Sequence, residues 1–142
     1  MQKSVLVYWS GTGNTQDMAE HIAAGLRAAG AEVDVFNVSD TTAQEVAGYD
    51  SILLGCPAMG AEVLEESEFE PFFTELEPLL SGKKLALFGS YGWGDGEWMR
   101  EWEKRTARTG GVLFEPGLIL NEAPDTRGIA DCEAFGRRFA NS

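Results

Sequence analysis

The segment Ser10-Gly11-Thr12-Gly13-Asn14-Thr15 follows directly on the apolar run Val5-Leu6-Val7-Tyr8-Trp9 and opens a stretch in which Met18, Ala19, Ile22, Ala23 and Leu26 recur at helical spacing. A buried strand that turns through a short loop of small residues into an amphipathic helix is the first unit of an α/β fold. The loop also suits an anion. Its small residues let successive backbone N–H groups turn inward, the helix start adds partial positive charge, and Ser10, Thr12, Asn14 and Thr15 add side-chain donors. No Lys or Arg lies within it. A nucleoside triphosphatase loop ends in Lys followed by Ser or Thr. The dinucleotide pattern needs a third glycine for close helix packing, where this chain has Asn14-Thr15-Gln16 after Gly11 and Gly13. A single monophosphate is the guest that fits best. A plain polar turn capped by Asn14 or Thr15 would need one such residue, and the loop supplies four.

Beyond Gly30, where the first helix should end, Glu32-Val33-Asp34-Val35-Phe36 alternates polar and apolar, which suggests a strand at a sheet edge. The Ser39 to Gly48 segment is a weaker helix. Ser51-Ile52-Leu53-Leu54-Gly55 and Leu85-Ala86-Leu87-Phe88-Gly89 read as buried strands, with a helix between them that carries Phe69, Phe72, Phe73, Leu76 and Leu80 on one side. A further helix is expected from about Glu97 to Arg108. A strand over Val112 to Phe114 and Leu118 to Leu120 follows, then a last helix bearing Cys132, Phe135 and Phe139. Five strands alternating with five helices predict a doubly wound α/β fold, a parallel sheet with helices on both faces. Ligands of such sheets sit beyond the carboxyl ends of the strands. Three unusual loops, 10–15, 56–68 and 90–96, all follow strands and should meet there.

At 142 residues and 44% hydrophobic content the chain suits one well-buried core, so a single domain over residues 1–142 is expected. Its 11 Lys and Arg against 23 Asp and Glu give a formal charge of -12. That balance disfavours nucleic acid and anionic membrane and makes basic proteins the natural partners. Cys56 and Cys132 lack metal-ligand spacing and read as buried, inert thiols. With no signal-peptide or membrane-span pattern at Met1-Gln2-Lys3-Ser4, a soluble cytoplasmic protein is expected.

Tyr91-Gly92-Trp93-Gly94-Asp95-Gly96 sets two aromatic rings among three glycines, and a flat ligand can stack there. A lone loop Trp more often closes a core. Here the partner loop Ala58-Met59-Gly60-Ala61-Glu62 offers Met59 as a polarizable contact for the other face. Trp98 and Trp102, four apart on the next helix, are expected to pack instead.

Taken in order, these three loops resemble those of the flavodoxins, of the short-chain type. Ser10 to Thr15 is similar to their FMN-phosphate loop. Gly55-Cys56-Pro57-Ala58-Met59-Gly60 is similar to their first isoalloxazine loop, and Gly89-Ser90-Tyr91-Gly92-Trp93-Gly94-Asp95-Gly96-Glu97-Trp98-Met99 to their second. The resemblance spans essentially the whole chain. It implies a five-stranded sheet in the order 2-1-3-4-5, which the fold's own type example shows, with FMN at the switch between strands 1 and 3. It implies a phosphate held by Ser10, Gly11, Thr12, Gly13, Asn14 and Thr15. The ring loops would then be formed by Pro57, Ala58, Met59, Gly60, Ala61 and Glu62 and by Ser90, Tyr91, Gly92, Trp93 and Gly94. Within them Met59 and Trp93 would flank the ring, the Gly60 carbonyl would meet N5 and Glu62 the pyrimidine edge.

The chain departs from the family at Ala61, where Asp, Ser, Asn or Gly is expected in the turn that flips on reduction. In a type II turn Ala61 would cost ~1 kcal/mol relative to Gly, roughly 40 mV in a one-electron potential. Ala61→Gly is therefore expected to raise the semiquinone yield. Both one-electron potentials measured on that variant check this, and an unchanged yield contradicts it.

The resemblance implies a one-electron carrier, FMN cycling between semiquinone and hydroquinone, with no substrate turnover of its own. An apolar wall and the acids Glu62, Glu65, Glu66, Glu68, Glu70 and Asp95 would disfavour the anionic hydroquinone and steer basic partners. The implied partners are NAD(P)H-dependent flavodoxin or ferredoxin reductases and low-potential oxidoreductases, with the protein a monomer. No acid–base pair is apparent, and His21, the single histidine, is expected to be a surface or packing residue. An FMN-dependent NAD(P)H:quinone reductase is the alternative. It needs a second cavity over the flavin, for which no insertion or basic cluster is present. A receiver-type signalling domain lacks its aspartates after the first strand, where Trp9-Ser10 stands.

Overall fold

The computed structural model describes residues 3–60 and 62–142. Along the chain run β1 (Ser4–Tyr8), α1 (Asn14–Ala28), β2 (Val33–Asn37), α2 (Ala43–Val46), β3 (Ser51–Gly55), α3 (Phe69–Leu76), β4 (Lys84–Tyr91), α4 (Glu97–Ala107), β5 (Val112–Leu113), β6 (Leu118–Asn121) and α5 (Thr126–Ala140). The sheet is parallel in the order β2-β1-β3-β4-β5, with β6 also pairing to β4 beyond the end of β5. The expected order holds, and the second strand is at the edge as its alternation suggested.

Three details differ from the sequence expectation. The fifth strand is broken in two, because Pro116 and Gly117 interrupt the run between Leu113 and Leu118. The segment after β2 forms a single tight turn at Val38–Asp40 and only four helical residues. β4 runs on through Ser90 and Tyr91, so the loop after it starts at Gly92.

Strand residues point alternately to the two faces, and this sorts the core into two halves. Val5, Val7, Ile52, Leu54, Leu85 and Leu87 meet Phe69, Phe73, Trp98 and Trp102 under α3 and α4. Leu6, Leu53, Ala86 and Phe88 meet Met18, Ile22, Leu26, Phe135 and Phe139 under α1 and α5. Trp102 sits edge-on against Phe69 and Phe73, with ring centroids 5.5 and 5.9 Å away. Trp98 and Trp102 thus pack, as expected of them. His21 bridges α1 to Glu133 on α5 at 3.7 Å, away from the loops at the strand ends.

Both thiols are buried, Cys56 at the end of β3 and Cys132 inside α5. Burial pushes both well above an ordinary thiol, Cys132 up to about 12. The native protein is therefore expected to leave a disulfide thiol reagent unreacted at neutral pH and to release two equivalents once unfolded. Rapid native labelling would contradict this packing. Among the described residues no helix is long and apolar enough to cross a membrane.

Candidate functional site

The loops after β1, β3 and β4 leave the same edge of the sheet and enclose a cavity of about 600 Å³, within the range of small-ligand sites. Ser10, Gly11, Thr12, Asn14 and Thr15 form one end. Pro57, Ala58, Met59 and Gly60 line a second side, and Ser90, Tyr91 and Gly92 a third. Gly13, Glu62, Trp93 and Gly94 lie outside the lining, and Ala61 falls outside the described residues.

Gly13 is the N-cap of α1, with φ 96° and no side chain of its own to cap the helix. Ser10 Oγ accepts the N–H groups of Gly13 (3.1 Å) and Gln16 (3.3 Å), which leaves its own hydrogen to donate. The first helical bond runs from Asp17 N–H to Gly13 O, so the N–H groups of Asn14 and Thr15 find no acceptor among the described residues. Two free backbone donors at the start of a 15-residue helix open an anion site without any cation. Thr15 is fully buried, and its hydroxyl lies 3.0 Å from Ser90 Oγ while accepting the Ser90 N–H at 3.4 Å. This contact ties the first loop to the third.

The other two loops are tied by a continuation of sheet pairing. Cys56 N–H donates to Phe88 O (3.1 Å), Ala58 N–H to Ser90 O (3.0 Å), and Trp98 Nε1 to Cys56 O (3.1 Å). Glu62 N–H returns to Met59 O at 2.7 Å. Glu62 has φ 52°, and its Oε1 is buried with no hydrogen-bond partner among the described residues. Its carboxylate rests on Gly94, where a Cβ would come 2.3 Å from Oε1, and the φ of 86° there strains any side chain. Trp93 is 62% exposed and, unlike Met59, does not line the cavity. Gly92 and Gly94 beside it give the indole no side-chain support.

Three lining residues escaped the sequence reading. Trp9 forms part of the wall just before the first loop. Glu122 and Ala123, after β6, form a fourth side, fixed by Glu122 N–H to Tyr91 O (2.7 Å) and Asn121 Nδ2 to the same carbonyl (3.4 Å). Glu122 is left-handed at φ 58° and is, among the described residues, the one charged side chain lining the cavity. The only available signal was position, since this loop too follows a parallel strand.

The acidic segment is less free than its sequence suggested. Glu65 is only 5% exposed. Its carboxylate takes the N–H groups of Ser67, Glu68 and Phe69 at 2.8 to 2.9 Å, together with the Ser67 hydroxyl. Burial alone would raise its pKa, but those donors outweigh burial and hold it below the usual carboxylate range. Glu70 is held low first by Arg105, whose guanidinium donates to it at 2.7 Å and also reaches Glu77. Asp95 pairs with Arg100 at 2.9 Å, and Glu68 accepts the indole N–H of Trp9. Glu66 is exposed.

The profile of the family described as flavodoxin matches residues 6–136. The chain belongs to the flavodoxin family. It is 54% identical to the flavodoxin of Clostridium beijerinckii over 136 residues, covering 96% of this chain and 98% of that one. It is 52% identical to the flavodoxin of Megasphaera elsdenii over 137 residues, covering 96% and 98%. The solution structure of the two-electron reduced Megasphaera elsdenii flavodoxin superimposes with a TM-score of 0.90, covering 98% of this chain and 99% of that one. Flavodoxins are electron-transfer proteins that bind FMN, and FMN is the cofactor of this flavodoxin. The cavity fits that group. It offers free neutral donors at one end, an apolar slot with Met59 and Tyr91 beyond, and no Lys or Arg among its lining residues.

Proposed function

We propose that this flavodoxin is a low-potential one-electron carrier, a monomeric single domain over residues 1–142 whose FMN cycles between semiquinone and hydroquinone. The observation that carries the proposal is the charge of the cavity. Among the described residues its phosphate end holds only neutral donors, and the sole charged lining group is the carboxylate of Glu122. The N–H groups of Asn14 and Thr15 and the hydroxyls of Ser10, Thr12 and Thr15 hold the phosphate, with Gly11 and Gly13 shaping the loop. Pro57, Ala58, Met59, Gly60, Ala61 and Glu62 bound the ring on one side, and Ser90, Tyr91, Gly92, Trp93 and Gly94 on the other, Trp93 turning inward over the exposed face.

FMN supplies the redox chemistry when bound, and the protein selects the oxidation state by what surrounds it. A carboxylate without a compensating cation makes extra negative charge on the ring costly, which lowers the second potential. Glu122→Gln removes that charge and keeps the side chain's size. The second one-electron potential is expected to rise by about 40 mV, equivalent to roughly 1 kcal/mol for one exposed charge. Potentiometric titration checks this, and an unchanged or lowered value contradicts it.

Exposed Glu66 and the unpaired face of Glu122 favour docking of basic redox partners, NAD(P)H-dependent flavodoxin or ferredoxin reductases and low-potential oxidoreductases. An NAD(P)H:quinone reductase activity is the alternative. Mixing the FMN-loaded protein with NADPH anaerobically separates the two. The carrier is expected to stay oxidised until a catalytic amount of a flavodoxin reductase is added. Steady NADPH oxidation without the reductase would overturn the proposal.

A further inference from the structure

We propose that Trp9 is a positioning residue for the phosphate loop, pinned by Glu68, and that the acidic segment before α3 thereby sets how tightly the phosphate end of FMN is held. This inference rests on the FMN site proposed above and assigns a role to two residues outside its phosphate donors. Trp9 leaves β1 with its N–H on Gly55 O at 3.0 Å, and its ring packs half-buried against the α3 side of the core. Indole Nε1 donates to Glu68 Oε1 at 3.2 Å. Glu68 is itself fixed, because its own N–H donates to the capping carboxylate of Glu65 at 2.8 Å.

The phosphate loop then passes over the other end of the same indole. A Cβ on Gly11 would come 2.9 Å from Cη2 and 3.2 Å from Cζ3 of the six-membered ring. The end of a side chain can often swing away from such a contact. Here the opposite end of the ring is tethered, so a swing costs the hydrogen bond to Glu68. Indole and loop therefore fix each other, and the position of the Ser10 to Thr15 donors is coupled through Trp9 to a residue on the acidic segment. Both partners of that hydrogen bond reach solvent, so its effect is several-fold rather than orders of magnitude.

The test is the affinity of the apoprotein for FMN and for riboflavin, which lacks the phosphate, by flavin fluorescence quenching. Glu68→Ala is expected to raise the Kd for FMN about fivefold and to leave riboflavin affinity unchanged. Glu68→Gln keeps the acceptor and is expected to restore the wild-type ratio. Simple charge repulsion between Glu68 and the phosphate would have the opposite sign, with both variants binding FMN more tightly. Gly11→Ala is expected to weaken FMN about tenfold in the native background and much less beside Trp9→Phe, which removes the crowding atoms. Wild-type or tighter FMN binding by Glu68→Ala overturns the inference, as does an equal penalty for Gly11→Ala in both backgrounds. An apoprotein that does not distinguish FMN from riboflavin in its native form would instead overturn the proposed phosphate site. Should Gly11→Ala fail to fold, the Glu68 pair decides alone.

Discussion

Glu65→Ala is expected to lower the stability of the apoprotein by about 3 kcal/mol, since it removes the buried carboxylate that takes three backbone donors at the partly buried start of α3. For a domain of this size that is a fall in Tm of roughly 10 °C. Urea denaturation of apoprotein at neutral pH measures it, and a loss under 0.5 kcal/mol would contradict the capping role. The same group governs acid sensitivity. Its folded-state pKa is depressed, so the unfolded chain binds its proton first as pH falls. Its contribution is present above the ordinary carboxylate value of ~4.3 and is lost as pH drops below that, through the lower folded value. Glu70, held low by Arg105, adds a loss of the same sign in the same range. Wild type should therefore weaken steeply below about pH 4, and Glu65→Gln should show a flatter acid limb from a lower starting stability.

Thr15→Val is expected to reduce FMN affinity about 50-fold, roughly 2.3 kcal/mol, the scale of a hydrogen bond to a charged group. Thr15 is one of the few buried polar side chains in the protein. Because its oxygen already accepts the Ser90 N–H, its hydrogen remains available to Ser90 Oγ or to the cavity. Valine keeps the shape and removes both functions. Ser90, which is itself buried, then loses its partner, and an additional destabilisation of about 1–2 kcal/mol is expected in the apoprotein. Riboflavin affinity should fall far less than FMN affinity. Fluorescence titration with the two flavins checks this, and an FMN affinity within threefold of wild type contradicts the assignment of Thr15.

The central strands were legible because β1, β3 and β4 are buried on both faces and read as unbroken apolar runs. The short α2 was weak in sequence because four residues give little more than one turn of periodicity. β4 exceeds its apolar run because Ser90 and Tyr91 continue the ladder to β6, a pairing that no local pattern announces. In the site, hydroxyl and glycine content marked the three loops, but Asn121-Glu122-Ala123 carries no such mark. In sequence Trp9 simply closes an apolar run, and only tertiary structure shows the phosphate loop lying across its ring. Likewise, nothing near Glu70 in sequence reveals that Arg105 neutralises it from another helix, so an acidic run overstated the free charge.

The most direct test of the account is an anaerobic reductive titration of the FMN-loaded protein, followed by absorbance at controlled potential. A cavity that meets the flavin with neutral donors and a lone carboxylate predicts two well-separated one-electron steps, the first giving a blue long-wavelength form and the second lying far lower. A single two-electron step with no blue form would contradict it.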